Sequence, residues 1–343
     1  MDKAIGGQNV NKKKGQQSVV FASPPIITST ANIVGPMEGE GLLQEYFDDI
    51  MPDNLNNLNS WEQCESYMME TAIKEAVKKD NSTIEMVDCV FAGDLLNQLM
   101  STHFAVNKLN RPFLGVYGAC STMVESMLLG AIMLDGGFAN KVVVAASSHH
   151  DAAERQYRFP SELGVQRPFS SQWTVTGSGA AVLSTLGNGP CITAATIGKI
   201  IDYGIKDPNA MGPAMAPAAT DTLLTHFQDT GRAPAYYDMI FTGDLGSIGK
   251  QLVIQLMQEQ GLDISSNYQD CGCMIYREEQ DTHAGASGCA SSAVVFSGYI
   301  YNALMTGKLK KVLLIGTGSL HSTTSYQQKE SIPCIAHAVA VEV

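Results

Sequence analysis

The feature that most constrains this chain is that much of it reads as one pattern written twice. Val87-Asp88-Cys89-Val90-Phe91-Ala92-Gly93-Asp94-Leu95 resembles Tyr237-Asp238-Met239-Ile240-Phe241-Thr242-Gly243-Asp244-Leu245, and the shared F-x-G-D-L core recurs 150 positions on. Gly118-Ala119-Cys120-Ser121 leading to Lys141-Val142-Val143-Val144 is paralleled by Gly288-Cys289-Ala290-Ser291 leading to Lys311-Val312-Leu313-Leu314, 170 positions on. Both copies run from a small-residue turn through about twenty helical residues and a glycine break into an apolar strand. Two matches in the same order with nearly the same offset argue for duplicated halves. The expected organisation is a flexible lead over 1–18, an N-terminal half over 19–186 and a C-terminal half over 187–343. An insertion falls at about 150–172 of the first half.

Local signals fill in the halves. Ser60 with Gln63 forms an S-x-x-Q capping box that opens a helix running to about Lys79. Strand 87–92, helix 94–106, strand 113–117, helix 121–134 and strand 141–146 follow. The second half repeats the order with strand 192–202, helix 218–228, strand 238–242, helix 247–260, helix 289–305 and strand 311–316. The strands are continuous apolar runs, as parallel strands buried on both faces are. The fold class expected is therefore α/β, two stacked halves with parallel-rich sheets.

Composition excludes several functions. Of 343 residues 45% are hydrophobic and 16% charged, enough apolar material for a large core. Twenty-two basic against 34 acidic residues leave a net charge of −12, the wrong sign for a nucleic-acid partner. Lys3 and Lys12–Lys14 have no apolar block behind them, so no signal peptide is expected. No stretch reaches the roughly 18 apolar residues of a spanning helix, so any membrane association is expected to be peripheral or through a partner. Most of the eight cysteines lie in apolar segments and read as reduced core thiols of a cytosolic protein. Cys271 and Cys273 form a C-G-C with no second pair at zinc-ligand spacing, and no metal site is assigned there.

Cys120 has the most reactive setting. It follows a strand and opens a helix, whose N-terminal partial charge lowers a thiol pKa from about 8.5. A nucleophile would be built there, and a small buried thiol beside a tight turn fits the position equally. The strand–GACS–helix–strand block, the duplicated halves and the Gly-rich Thr176-Gly177-Ser178-Gly179-Ala180-Ala181 strand resemble the thiolase fold, in particular the beta-ketoacyl synthase III branch. That resemblance implies a layered α-β-α-β-α arrangement, a homodimer, and Cys120 at the nucleophile position. Such enzymes add a His from a loop reading roughly P-H-Q-A-N and an Asn from one reading roughly G-N-T-S-A-A-S. Here the first reads Thr242-Gly243-Asp244-Leu245-Gly246-Ser247 and the second Gly285-Ala286-Ser287-Gly288-Cys289-Ala290-Ser291. Both groups are missing, and His283 is a stand-in only if the loops move. Losing a positioned acid/base group costs about 10²–10⁴-fold, so the expectation is a binding protein rather than an enzyme. The alternative is an acyl-transferring condensing enzyme with Cys120 as nucleophile.

Three blocks carry a narrower resemblance: Ser147-Ser148-His149-His150-Asp151-Ala152-Ala153-Glu154-Arg155-Gln156-Tyr157-Arg158-Phe159-Pro160, Gln172-Trp173-Thr174-Val175-Thr176-Gly177-Ser178-Gly179-Ala180, and Gln280-Asp281-Thr282-His283-Ala284-Gly285. They resemble the stage V sporulation protein AD family of spore-forming Firmicutes, from about Val19 to Val343. The resemblance implies binding of dipicolinic acid (pyridine-2,6-dicarboxylate) for uptake into the developing spore, with or without Ca²⁺. It also implies partners from the same sporulation operon at the spore inner membrane. A flat aromatic dianion asks for forked donors and an aromatic face. Arg155, Arg158 and Arg167, interleaved with Tyr157, Phe159, Phe169 and Trp173, could supply them, or could be surface residues. His149 and His150 end a strand, where open α/β sheets place ligand crevices. The expected ligand-contact set is Cys120, His149, His150, Arg155, Arg158, Arg167, Trp173 and His283. Asp94 and Asp244, at matching turns, read as helix caps, with Ca²⁺ ligation as the other reading.

Overall fold

The computed structural model describes residues 12–157 and 167–343, so Arg158 and Phe159 lie outside the described residues. Ten strands carry the architecture. In the first half they are β1 (Ile26–Val34), β2 (Cys89–Gly93), β3 (Phe113–Gly115), β4 (Lys141–Ser148) and β5 (Gly177–Ser184). In the second half they are β6 (Cys191–Thr196), β7 (Met239–Thr242), β8 (Tyr268–Asp270), β9 (Lys311–Ser319) and β10 (Cys334–Glu342). The first set lies in the order β3-β2-β4-β5-β1 and the second in the order β8-β7-β9-β10-β6. In both, the first three strands run parallel and the last two pairings are antiparallel. The sets join where Cys191 of β6 pairs with Ile26 of β1. The duplicated reading thus appears as one strand order used twice.

The helices used below are α1 (Trp61–Lys79), α2 (Met100–Leu109), α3 (Thr122–Asp135), α4 (His150–Tyr157), α5 (Met211–Thr230), α6 (Gly246–Glu259) and α7 (Cys289–Val295). The α7 segment continues through a π-turn over Phe296–Ile300 into Tyr301–Met305. Alternation along the strands assigns each face to a different layer. Val142 and Val144 of β4 and Val312 and Leu314 of β9 share one cluster with Met123 and Met127 of α3 and Ala290 and Val294 of α7. Val143 and Ala145 face the other way, onto Met68, Met69 and Ile73 of α1. Leu313 and Ile315 face Met215, Ala218 and Leu223 of α5. The layers are therefore helix, sheet, the α3/α7 pair, sheet, helix. With both faces covered, the strands need no polar alternation. Among the described residues no helix is long and apolar enough to cross a membrane.

Several boundaries differ from the sequence reading, each for a local reason. The helix expected over 94–106 begins at Met100, because Asp94 turns back on the chain. Its carboxylate accepts from Leu96 N (2.7 Å) and Thr102 N (2.7 Å), and Gln98 and Leu99 take left-handed φ of 55° and 54°. The helix expected from 218 begins at Met211. Pro213 falls in its first turn, where a missing N–H costs nothing, and Pro217 is carried inside it. The strand expected over 192–202 ends at Thr196, beyond which Gly198 N donates to the His337 side chain (Nδ1) of β10 rather than to a strand backbone. Strands β1, β8 and β10 were not anticipated. In β1 the buried Ser29 and Thr30 mask the strand signal by bonding to Ala76 O and Ser297 O.

The Cys120 turn is held from below by β9. A Cβ on Gly318 would lie 2.0 Å from Gly118 O, so that strand can approach only as glycine. Gly318→Ala is expected to destabilise the protein by about 1–3 kcal/mol through overpacking. Thermal unfolding at neutral pH measures it, and an unchanged melting temperature would contradict the close approach.

Candidate functional site

The site is built where the two repeat turns meet. In the first, Ala119 adopts φ +51°, Ser121 Oγ donates to Gly118 O (2.7 Å) and Thr122 Oγ1 to Ala119 O (2.6 Å). This leaves Cys120 pointing inward, 5% exposed. In the second, Gly288 takes φ +98°, and a Cβ there would lie 2.8 Å from Ser148 Oγ. Cys289 Sγ donates across to Ala119 O (3.0 Å), joining the two turns.

Asp244 lies beneath both. Its carboxylate accepts from Thr317 Oγ1 (2.8 Å), Gly288 N (3.0 Å) and Ser287 Oγ (3.2 Å) and lies beside the Cys120 thiol. Burial pushes the Cys120 pKa well up, and the neighbouring Asp244 charge pushes it further in the same direction. The thiol lowering expected from the helix N-terminus is overturned, because desolvation and a like charge outweigh a helix-end partial charge worth typically 0.3–1 kcal/mol. Asp244 is not the cap of α6 either. That work falls to Asp270 on β8, which accepts from Leu245 N and Gly246 N (both 2.9 Å) and Thr242 Oγ1 (2.7 Å). Asp94 does serve its helix, accepting from the backbone of Thr102 in the first turn of α2.

A cleft opens above Cys120. Leu95, Tyr157, Thr174 and His321 form part of its wall, and Asn209 and Met211 bring the first turn of α5 to it. His321 is 8% exposed, and its ring stands 6.2 Å from that of Tyr157 at 28°. Burial lowers the His321 pKa, keeping the imidazole neutral at neutral pH. Tyr157 OH donates to Leu95 O (2.7 Å). Gln172 and Ser319, each 6% exposed, also line the cleft, and Gln172 Oε1 and Ser319 Oγ have no hydrogen-bond partner. Buried polar atoms are normally paired, and these two are exceptions beside the cleft. Among the described residues no group of three or more His, Cys, Asp or Glu could hold a metal ion.

Of the residues put forward from sequence, Cys120 forms the cleft floor. His150, Arg167, Trp173 and His283 gather beside it rather than in it. The His150 ring stacks on Trp173 at 3.7 Å and 3°, and the Arg167 guanidinium lies 4.7 Å from the Trp173 ring centre. Arg167 Nη2 also donates to Asp281 O (2.8 Å), while His283 packs edge-on against Phe169 at 5.7 Å. His149 is buried with Nε2 2.8 Å from Asn54 O. Arg155 points to the outer surface, paired with Glu62 and 5.1 Å over the Trp61 ring. Sequence reading missed Gln172, Ser319 and His321 as cleft residues. The signal was present: Ser319 ends β9 as Ser148 ends its repeat partner β4.

Comparisons with known proteins identify the family and the fold. A family model described as Stage V sporulation protein AD matches residues 15–342. The Stage V sporulation protein AD of Bacillus subtilis (strain 168) is 44% identical over 331 residues, covering 96% of this chain and 98% of that protein. Among solved structures, a cerulenin-bound OleA of Xanthomonas campestris aligns with a TM-score of 0.61 at 17% identity, over 94% of this chain and 98% of its own. The 3-oxoacyl-[acyl-carrier-protein] synthase III of Aquifex aeolicus VF5 aligns at 0.55 and 12%, over 93% and 100%. At such identities these structures speak for the fold alone.

Two outcomes follow from the electrostatics. Iodoacetamide should modify Cys120 no faster than the other buried thiols at pH 7–8, and preferential labelling of Cys120 in peptide mapping would contradict a protonated thiol. Burial raises Asp270 and Glu38 to about 7 each. Their neutral forms favour the fold fully below about pH 4, and that contribution is lost as pH rises through about 7. Stability should therefore decline between pH 5 and pH 8, less so in Asp270→Asn. A denaturant series at the two pH values tests this, and an equal decline in the variant would exclude Asp270 as a source.

Proposed function

This chain belongs to the stage V sporulation protein AD family, and from that premise we propose that it binds dipicolinic acid in the cleft above Cys120 without catalysis. The observation that carries the reading is the burial of Cys120 beside the buried Asp244 carboxylate, where desolvation and the like charge both hold the thiol pKa well above its ordinary value. A nucleophile needs the thiolate, and here the surroundings favour the thiol. The cleft nevertheless persists, which is what a ligand site on an enzyme scaffold requires.

Other features suit a flat aromatic acid. Tyr157 and His321 offer ring faces on one wall. The 20-residue α5 begins at the cleft with no side-chain cap and no acidic residue in its first turn, so its N-terminal N–H groups favour a carboxylate. Ser319 Oγ adds a buried hydroxyl. The same reading assigns the protein, as a homodimer, to uptake of its ligand at the spore inner membrane, held there by other proteins of the same operon.

Calorimetric titration with dipicolinate tests the ligand, with and without Ca²⁺ and with pyridine-2-carboxylate as the control. Saturable binding about tenfold or more tighter than the control's is the expected result, since one further carboxylate contact is worth about 1.5–3 kcal/mol. No heat at millimolar dipicolinate under either condition would overturn the reading. Light scattering should give twice the chain mass.

A further inference from the structure

The hydrogen-bonding role of the cleft residue Gln172 is fixed by two backbone carbonyls of other segments. It sits just before the short strand Trp173–Thr174, which pairs in parallel with Ala286–Ser287. Its Nε2 donates to Asp244 O and to Ala286 O, both at 2.7 Å. Those two bonds use both amide protons, so the amide cannot flip without orphaning two buried carbonyls. Oε1 is therefore an acceptor, and it is left without a partner. It faces the first turn of α5, 3.5 Å from where a Cβ on Gly212 would stand. Gly246 is equally confined, since a Cβ there would meet Nε2 at 3.0 Å. An unpaired buried acceptor costs about 1–3 kcal/mol until a donor reaches it.

We propose that Gln172 Oε1 is a specificity-determining acceptor that reads a hydrogen-bond donor on the ligand. Of a pyridine dicarboxylic acid, the cleft then takes the species with one carboxyl protonated. This deepens the reading above and rests on it. A fully ionised dicarboxylate presents only acceptors to Oε1 and is repelled there. A protonated carboxyl offers an O–H to Gln172 and a carbonyl oxygen to the Ser319 hydroxyl or the α5 N–H groups. Among the described cleft residues there is no Lys or Arg to reverse that preference. The titratable groups facing this space are Cys120 and Asp244 below, with Glu154, Tyr157 and His321 on the walls.

The test compares two ligands on the unmodified protein in chelator-treated buffer between pH 5 and pH 7.5. One is pyridine-2,6-dicarboxylate. The other is 6-carbamoylpyridine-2-carboxylate, whose amide N–H is a donor at every pH. The dicarboxylate should weaken about tenfold per pH unit above its second ionisation, because binding takes up one proton. The amide should change less than about threefold over the same range. Gln172→Met should weaken the amide about tenfold or more, with its melting temperature recorded to show that it folds. Identical pH profiles for the two ligands would assign the titration to a protein group and overturn the proposal while leaving dipicolinate binding intact. A pH-independent dicarboxylate would do the same. If neither ligand binds at any pH, this proposal and the functional reading fall together.

Discussion

The buried carboxylate of Asp244 is the interaction on which the site depends. It gathers Thr317 from β9 and Ser287 and Gly288 from the turn before α7, and its charge acts on Cys120 of the opposite half. Burial alone would make a charge there costly, and several donors offset that cost, hydrogen bonds to a charged group being worth about 1.5–3 kcal/mol each. Removing any one donor leaves the carboxylate short of a partner rather than simply deleting a contact. The same arrangement decides the chemistry of the thiol. A condensing enzyme surrounds its cysteine with groups that favour the thiolate, whereas an acid beneath Cys120 favours the proton.

Duplication made the architecture legible and the side-chain assignments less so. Phe91-Ala92-Gly93-Asp94 and Phe241-Thr242-Gly243-Asp244 both follow short apolar strands, β2 and β7, each flanked by parallel neighbours. Yet the twin aspartates differ in role. Asp94 folds back on Leu96 and Thr102 of its own segment, while Asp244 reaches across the molecule and leaves the cap of α6 to Asp270. That substitution was not readable, because β8 is three residues long and carries little strand signal of its own. Strand β1 was hidden for the opposite reason. Its Ser, Thr and Asn residues read as polar, and only tertiary partners such as Ala76 O, Ser297 O and Asp48 N make them buriable.

The cleft was half legible. Cys120 announced itself by its place at a strand-to-helix turn. Ser319 and His321 carry no such local signal, lying at and just beyond the end of β9 with no aromatic or basic cluster like that of the 150–172 stretch. Carrying the repeat through to its second copy would have pointed to the end of β9, where both residues lie. Gln172 stands on no periodic element. Its role follows from two backbone carbonyls that only the fold brings within 2.7 Å.

The described arginines were expected to supply charge to a ligand, and their surroundings change that picture. Arg155 is paired with Glu62 and laid over Trp61, while Arg167 is laid over Trp173 and bonded to Asp281 O. Arg155 thereby anchors local structure, whereas Arg167 Nη1 has no hydrogen-bond partner. No Lys or Arg is among the described cleft-lining residues, so an anion there would meet oriented dipoles: the uncapped first turn of α5 and the Ser319 hydroxyl. Such dipoles are weaker than a paired cation, and Asp244 and Glu154 lie close by, so full ionisation of a dicarboxylate would be opposed there. A site of this kind discriminates by where donors and acceptors fall rather than by net charge, which accords with a chain that carries 12 more acidic than basic residues.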